Sequence, residues 1–152
     1  MVDSQTRAEL VEFLKSKNPA VLSTISSSGQ PMSATLYFTF DEYMNFYFMT
    51  KSYTRKHANL QQNSEVALVI GTENTPATVQ IQGKAARITD VKEFDLWMGK
   101  LRDIFFKDEF VAPLFQMSPK DNEIVIYKVV PSWIRWLVLR GEKTNGGFTQ
   151  IL

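Results

Sequence analysis

The chain has 152 residues, 44% of them hydrophobic and 22% charged, at a net charge of +1, which is the composition of one ordinary globular domain spanning 1–152. That near-neutral balance excludes a broad basic surface for nucleic acid or anionic lipid, so any anion must be recognised locally. Cysteine is absent and His57 is the single histidine, which removes disulfides, thiolate catalysis and cysteine or His-rich metal sites and disfavours a Ser–His triad.

The N-terminal MVDSQTRAELVEF lacks the basic-then-apolar order of a signal peptide, and no apolar run approaches the roughly 20 residues that span a bilayer. A cytoplasmic protein with no membrane segment is expected. Asp3 or Ser4 can cap a first helix (about 3–17), with Ala8, Val11 and Leu14, and Leu10 beside them, as its inner stripe. Asn18-Pro19 ends it. Ala20 to Ser26 reads as a strand and SSSGQP (26–31) as a turn. Period-2 alternation follows, with Met32, Ala34, Leu36, Phe38 and Phe40 on one face and Ser33, Thr35, Tyr37 and Thr39 on the other. FDEYMN (40–45) is a hairpin turn leading into the strand FYFMT (46–50).

A short helix is expected from about Ser52 to Gln62, then a strand from Glu65 to Gly71 and a turn at TENTP (72–76). A longer strand runs from about Ala77 to Thr89, with Gly83 as a bulge or close-packing point. Phe94, Trp97, Met98, Leu101, Ile104 and Phe105 carry the strongest helical spacing in the chain and belong to a helical insertion (about 90–116). Its acids Asp90, Glu93, Asp95 and Asp103 fall mainly on the solvent side. A further helical turn can lie within 107–119, before Ser118-Pro119. NEIVIYKVVP (122–131) and WIRWLVL (133–139) read as two strands split at Pro131, and the tail GEKTNGGFTQIL as mobile or docked on a partner subunit. The sum is a mainly β chain with peripheral helices: six or seven hairpin-joined strands closing into an antiparallel barrel. Apolar residues on both faces of many strands point to a dimer.

The stretch TKSYTRKHANLQQ (50–62) is unusual. A helix start prefers acids, yet this one offers Lys51, Arg55 and Lys56 among the hydroxyls of Thr50, Ser52 and Thr54, and contains no Asp or Glu. Either it is a solvated basic turn, or it is half of an anion site in which free backbone N–H groups, hydroxyls and a guanidinium hold a phosphate. Ser52 or Thr54 would be the N-cap. The neighbouring strand supplies small residues, Ser33, Ala34 and Thr35, that let a flat ring approach the backbone. His57 is either a general acid/base or, more simply, an exposed or locally bonded helix residue. Trp133 and Trp136 either cover a ligand or pack in the barrel or a dimer interface.

From about Pro19 to Ile88 the chain resembles the flavin-binding split barrel of the pyridoxamine 5′-phosphate oxidase-like family. The matching pieces are Gly29-Gln30-Pro31, Phe48-Met49-Thr50, Thr54-Arg55-Lys56 opening a helix, Asn59-Leu60, Asn63 to Val69, and Gln80-Ile81-Gln82-Gly83-Lys84-Ala85. The resemblance implies a six- or seven-stranded antiparallel split β-barrel that forms a homodimer with FMN in clefts between subunits. Arg55 and Lys56, with Thr50 beside them, would bind the FMN phosphate. The segment Ala34 to Thr39, Leu36 included, would line the ring and ribityl chain, and Gln80 would substitute for a glutamine that the oxidases place near the flavin in the strand containing Thr78 here. Lys51 joins this set on proximity to the same anion.

The implied function is a flavin-dependent oxidoreductase drawing on NAD(P)H or another small-molecule reductant, with no catalytic side chain assigned. Family oxidases of pyridoxamine phosphate use an Arg-x-His motif near the C-terminus, where this chain reads Trp133-Ile134-Arg135-Trp136, so that substrate is not expected. The alternatives are a non-enzymatic flavin store, sensor or stress module, and an F420-binding reductase. A haem protein is disfavoured because His57 is the only histidine available as an axial ligand.

Overall fold

Asp3 starts the first helix, α1 (Ser4–Lys15), by accepting from the Thr6 N–H at 2.8 Å and the Thr6 hydroxyl at 2.7 Å. The computed structural model describes residues 2–17, 19–71, 77–106, 124–138 and 147–152. The inner stripe of α1 is Leu10 and Leu14, with Val11 and Phe13 against the same core. Ala8, expected on that stripe, is exposed, because the helix turns Leu10 and Leu14 inward and Ala8 falls beyond their arc. The helix ends at Lys15, before residue 18, which lies outside the described residues along with the TENTP turn and the 107–119 segment.

The strands are β1 (Ala20–Ile25), β2 (Pro31–Leu36), β3 (Phe38–Phe40), β4 (Phe46–Lys51), β5 (Glu65–Ile70), β6 (Ala77–Arg87), β7 (Ile124–Val138) and β8 (Gly147–Gln150). Two further helices, α2 (Arg55–Gln62) and α3 (Val91–Phe106), complete the described elements. All pairings are antiparallel, in the order β2-β1-β5-β6-β7-β4-β3, with β8 added to β7. The two ends of that path, β2 and β3, are separated in sequence by Tyr37 alone. The sheet therefore curls until its ends are joined through the chain and not through a hydrogen-bonded ladder, which makes a split antiparallel barrel.

Alternation fills the interior. Leu22, Leu36, Phe38, Phe46, Phe48, Leu68, Val79, Ile81, Val129 and Ile134 belong to one buried cluster. Strand β4 is buried on both faces for a definite reason. Phe46 and Phe48 face the barrel, while Tyr47 and Met49 face α3, whose Trp97 and Leu101 form a second cluster with Ile126 and Ile88. Tyr47 and Trp97 stack with ring centroids 3.5 Å apart and planes 13° from parallel.

The Pro131 break expected between two strands does not occur: β7 runs through it for 15 residues. A register shift at Gln82/Gly83 accommodates the proline, which pairs with Gly83 while Gln82 pairs with Trp133. The extra residue, Ser132, is the bulge that lets a residue without an N–H sit inside a paired strand. Gly83 is required by close approach, since a Cβ there would lie 2.4 Å from the Val130 carbonyl oxygen. Residues 147–150 of the tail add to the same chain's β7, against the expectation of a mobile or partner-docked end. Gly29 takes φ +79° in the β1–β2 turn, a conformation that favours glycine.

Outside the barrel, the ladder sets Thr35, Val21, Val69, Gln80 and Arg135 in one row across five strands, beside a second row of Ser33, Ser23, Ala67, Gln82 and Trp133. Val21, Ala67, Val69, Gln80 and Arg135 are half-buried.

Candidate functional site

The turn between β4 and α2 is closed by a backbone bond from the Thr54 N–H to the Lys51 carbonyl at 3.1 Å and reinforced by the Thr54 hydroxyl. Thr54 is the N-cap of α2: its Oγ1 accepts from the His57 N–H at 3.3 Å and donates to the Lys51 carbonyl at 2.9 Å. With its single proton so used, Thr54 receives a hydrogen bond from Thr50, whose Oγ1 lies 2.9 Å away. The Ala58 N–H bonds the Thr54 carbonyl, so of the four donors at this helix start only those of Arg55 and Lys56 are without an acceptor among the described residues. The first turn of α2 contains no acid.

Against this turn lies a cleft of about 270 Å³ lined by Met49, Thr50, Lys51, Thr54, Lys56, Phe105 and Ile124. Its floor is apolar and its rim cationic. Lys56 is half-buried there, and burial lowers its pKa from the ordinary lysine value. Neither Arg55 nor Lys56 has a carboxylate partner among the described residues. Lys51 lies with its ammonium 5.8 Å from the Tyr53 ring centroid, and that ring is itself exposed. Arg55 is exposed at the start of α2 and does not line the cleft.

The helix behind the turn is fixed at its inner face. His57 is neither exposed nor locally bonded; it is 6% exposed and its Nδ1 lies 2.7 Å from the Tyr127 hydroxyl on β7. The Asn59 amide donates to the Thr24 hydroxyl on β1 at 2.9 Å and lies 3.4 Å from the Met32 sulfur on β2.

The sequence-derived residues thus divide into groups. Thr50, Lys51 and Lys56 meet in the cleft. Leu36 is buried in the barrel core, where only its backbone can face a ligand, and Ala34 points to the same interior. Ser33 and Thr35 point outward from β2 and are exposed, with the Ser33 hydroxyl 2.8 Å from that of Ser23. The two regions approach through Tyr37, whose ring is tilted 46° against Phe105 with centroids 4.8 Å apart, so the Ala34–Thr39 segment borders the cleft wall. Gln80 stands three strand spacings from Thr35, about 14 Å away. It lines no part of the cleft.

Thr54, Met49, Phe105 and Ile124 complete the lining beyond the residues the sequence singled out as ligand-binding. Thr54 was legible as a cap. The other three enter only because α3 docks on the outer face of β4 and β7. Trp136 packs 6.3 Å from Phe13 in the core and covers no cleft, whereas Trp133 lies on the outer face under the Arg135 guanidinium.

Residues 6–136 match the family model described as Pyridoxamine 5′-phosphate oxidase. The chain belongs to that family. A search of curated proteins gives no match. Solved structures share the fold at low identity. General Stress Protein 26 from Bacillus anthracis is 18% identical, with 97% of this chain and 99% of that one covered at a TM-score of 0.65. A pyridoxamine 5′-phosphate oxidase-related, FMN binding protein from Nostoc punctiforme is 17% identical, covering 99% and 97% at 0.65. PhzG from Burkholderia lata, solved with tetrahydrophenazine-1-carboxylic acid, is 17% identical, covering 97% and 89% at 0.63. No helix among the described residues is long and apolar enough to cross a membrane.

Proposed function

We propose that this protein binds FMN as a homodimer and acts as a flavin-dependent oxidoreductase. The observation that carries the reading is Lys56: a half-buried cation, without a carboxylate partner among the described residues, lining a cleft at a helix start that contains no acid. A phosphate there would accept from the Lys56 and Lys51 ammonium groups, the Arg55 guanidinium and the N–H groups of Arg55 and Lys56. Family membership and the FMN-binding relative from Nostoc punctiforme support flavin as the bearer of that phosphate.

Flavin, when bound, supplies hydride or electron transfer. The chain's own part is to hold the phosphate, to present the β2 edge with its exposed Ser33 and Thr35, and to exclude water along Met49, Phe105 and Ile124. Val21 of β1 and Ala67 and Val69 of β5, half-buried on the outer face, would give a second copy a small apolar patch, and Gln80 of one subunit would then become available to a cleft between two.

The test is cofactor uptake. Arg55→Ala with Lys56→Ala should weaken FMN far more than riboflavin, which lacks the phosphate. Equal losses would remove the basic turn from the site, and protein that stays colourless with added FMN would defeat the flavin assignment. Bleaching of bound flavin by anaerobic NADH or NADPH tests the oxidoreductase half of the proposal separately.

A further inference from the structure

The phosphate reading leaves the chain's only histidine without a task, although it is the most deeply placed polar group of α2. An eight-residue helix has little stability of its own, so contacts to the strands must hold it. Leu60 packs in the barrel core, and the structure adds three hydrogen-bonded ties. Thr54 ties its start to Thr50 of β4, Asn59 ties its middle to Thr24 of β1, and His57 reaches across the barrel mouth to Tyr127 of β7. The last joins residues 70 apart in sequence. Tyr127 is 3% exposed, and its ring is fixed by stacking on Phe48 with centroids 5.5 Å apart.

Successive residues of a helix point about 100° apart, so holding His57 inward sets the direction of its neighbour Lys56. We propose that the His57–Tyr127 hydrogen bond is a positioning contact that fixes the roll of α2, aims Lys56 into the cleft, and couples anion binding at the rim to the barrel interior. This inference rests on the FMN-phosphate reading. His57 and Tyr127 touch no ligand in it. They are positioning residues, and breaking their bond leaves a buried imidazole with an unmet polar atom and a helix with two hydrogen-bonded ties instead of three.

Because His57 is the single histidine, its imidazole gives one resonance set that needs no assignment. In the full-length protein, FMN should shift that resonance saturably, at the concentrations that fill the site, while riboflavin should bind and leave it nearly still. Tyr127→Phe removes one oxygen and keeps the ring. It should weaken FMN about tenfold, the equivalent of one lost hydrogen bond, with riboflavin changed by less than about twofold. A purely structural role would lower the melting temperature and leave the FMN-to-riboflavin ratio at its wild-type value, and that result overturns the proposal. So does an imidazole resonance unmoved at saturating FMN, a measurement that stands even if Tyr127→Phe fails to fold. Lys56→Ala, run alongside, separates the two readings. If wild type and Lys56→Ala both bind FMN and riboflavin alike, the phosphate site itself is wrong. If Lys56→Ala loses the preference and Tyr127→Phe keeps it, only the positioning role falls.

Discussion

The hydroxyls of Thr50 and Thr54 lie 2.9 Å apart, joining the last inward residue of β4 to the cap of α2. One side chain thus reinforces the turn that the Thr54 N–H and the Lys51 carbonyl close, caps the helix and fixes the lip of the cleft. Thr54→Ala should cost about 1 kcal/mol of stability through the lost cap. It should also weaken FMN, since the turn carrying Lys51 and Lys56 loses its hinge pin. Thr54→Ser keeps the oxygen and should restore both. Urea denaturation and an FMN titration on the two variants check this; equal behaviour of Ala and Ser would show that the methyl, not the hydroxyl, matters.

Lys56 gives the site a pH dependence whose sign follows from its burial. The folded, ligand-free protein holds this proton less tightly than an exposed lysine does. A bound phosphate favours the charged form and raises the pKa again, so binding is strongest while Lys56 is protonated. FMN affinity should therefore fall as pH rises through the depressed pKa, beginning below the ordinary lysine range. The phosphate, with a second pKa of about 6, is already a dianion there and does not contribute to the change. Lys56→Arg keeps its charge throughout and should flatten the alkaline decline. Dissociation constants measured from neutral pH upward for both proteins decide it, and a decline that survives in Lys56→Arg assigns the titration to another group.

The proposed homodimer makes a separate prediction. Val69 is half-buried on the outer face of β5, between Val21 and Gln80 in the same row. Val69→Asp leaves the barrel interior untouched, but puts a charge where a second copy would pack. The expected outcome is a folded monomer by sedimentation or light scattering, with FMN bound more weakly because each cleft has lost its partner wall. An unchanged oligomeric state would place the interface elsewhere.

Much of this arrangement is written in local pattern. The β2–β3 alternation sets Leu36 and Phe38 on one face and Ser33 and Thr35 on the other, and the α3 stripe puts Trp97 and Leu101 inward, because burial on one face leaves a period in the sequence. The cationic helix start was legible for the opposite reason, as a charge in the wrong place. What local pattern could not show depends on partners far along the chain. Pro131 reads as a strand break until Gly83 and the Ser132 bulge are set against it. His57 reads as a surface residue until Tyr127 arrives from 70 residues away. Phe105 and Ile124 become cleft walls only when α3 docks on β4.

Asp41 offers a stability test away from the cleft. Its carboxylate accepts from the N–H groups of Tyr43 and Asn45 at 2.9 and 2.8 Å, from the Asn45 amide at 2.8 Å and from the Tyr47 hydroxyl at 2.9 Å. Met44, at φ +65°, occupies the strained position of the turn these bonds enclose. Burial alone would raise the Asp41 pKa, but the donors from Asn45, Tyr47 and Tyr43 outweigh it and hold the carboxyl below its usual value. A depressed carboxylate contributes stability that is present above the unfolded pKa and lost as pH falls through the folded one. The same Tyr47 ring stacks on Trp97, so the turn also supports the docking of α3 and, through it, the Phe105 wall. Asp41→Asn places an amide donor among donors and should cost about 1–3 kcal/mol at neutral pH. The gap to wild type should narrow in acid, as the native carboxyl protonates and loses the same acceptor capacity. Denaturation at the two pH values measures it; a gap that stays constant in acid would show that the shape of the turn, and not the charge of Asp41, holds β3 to β4.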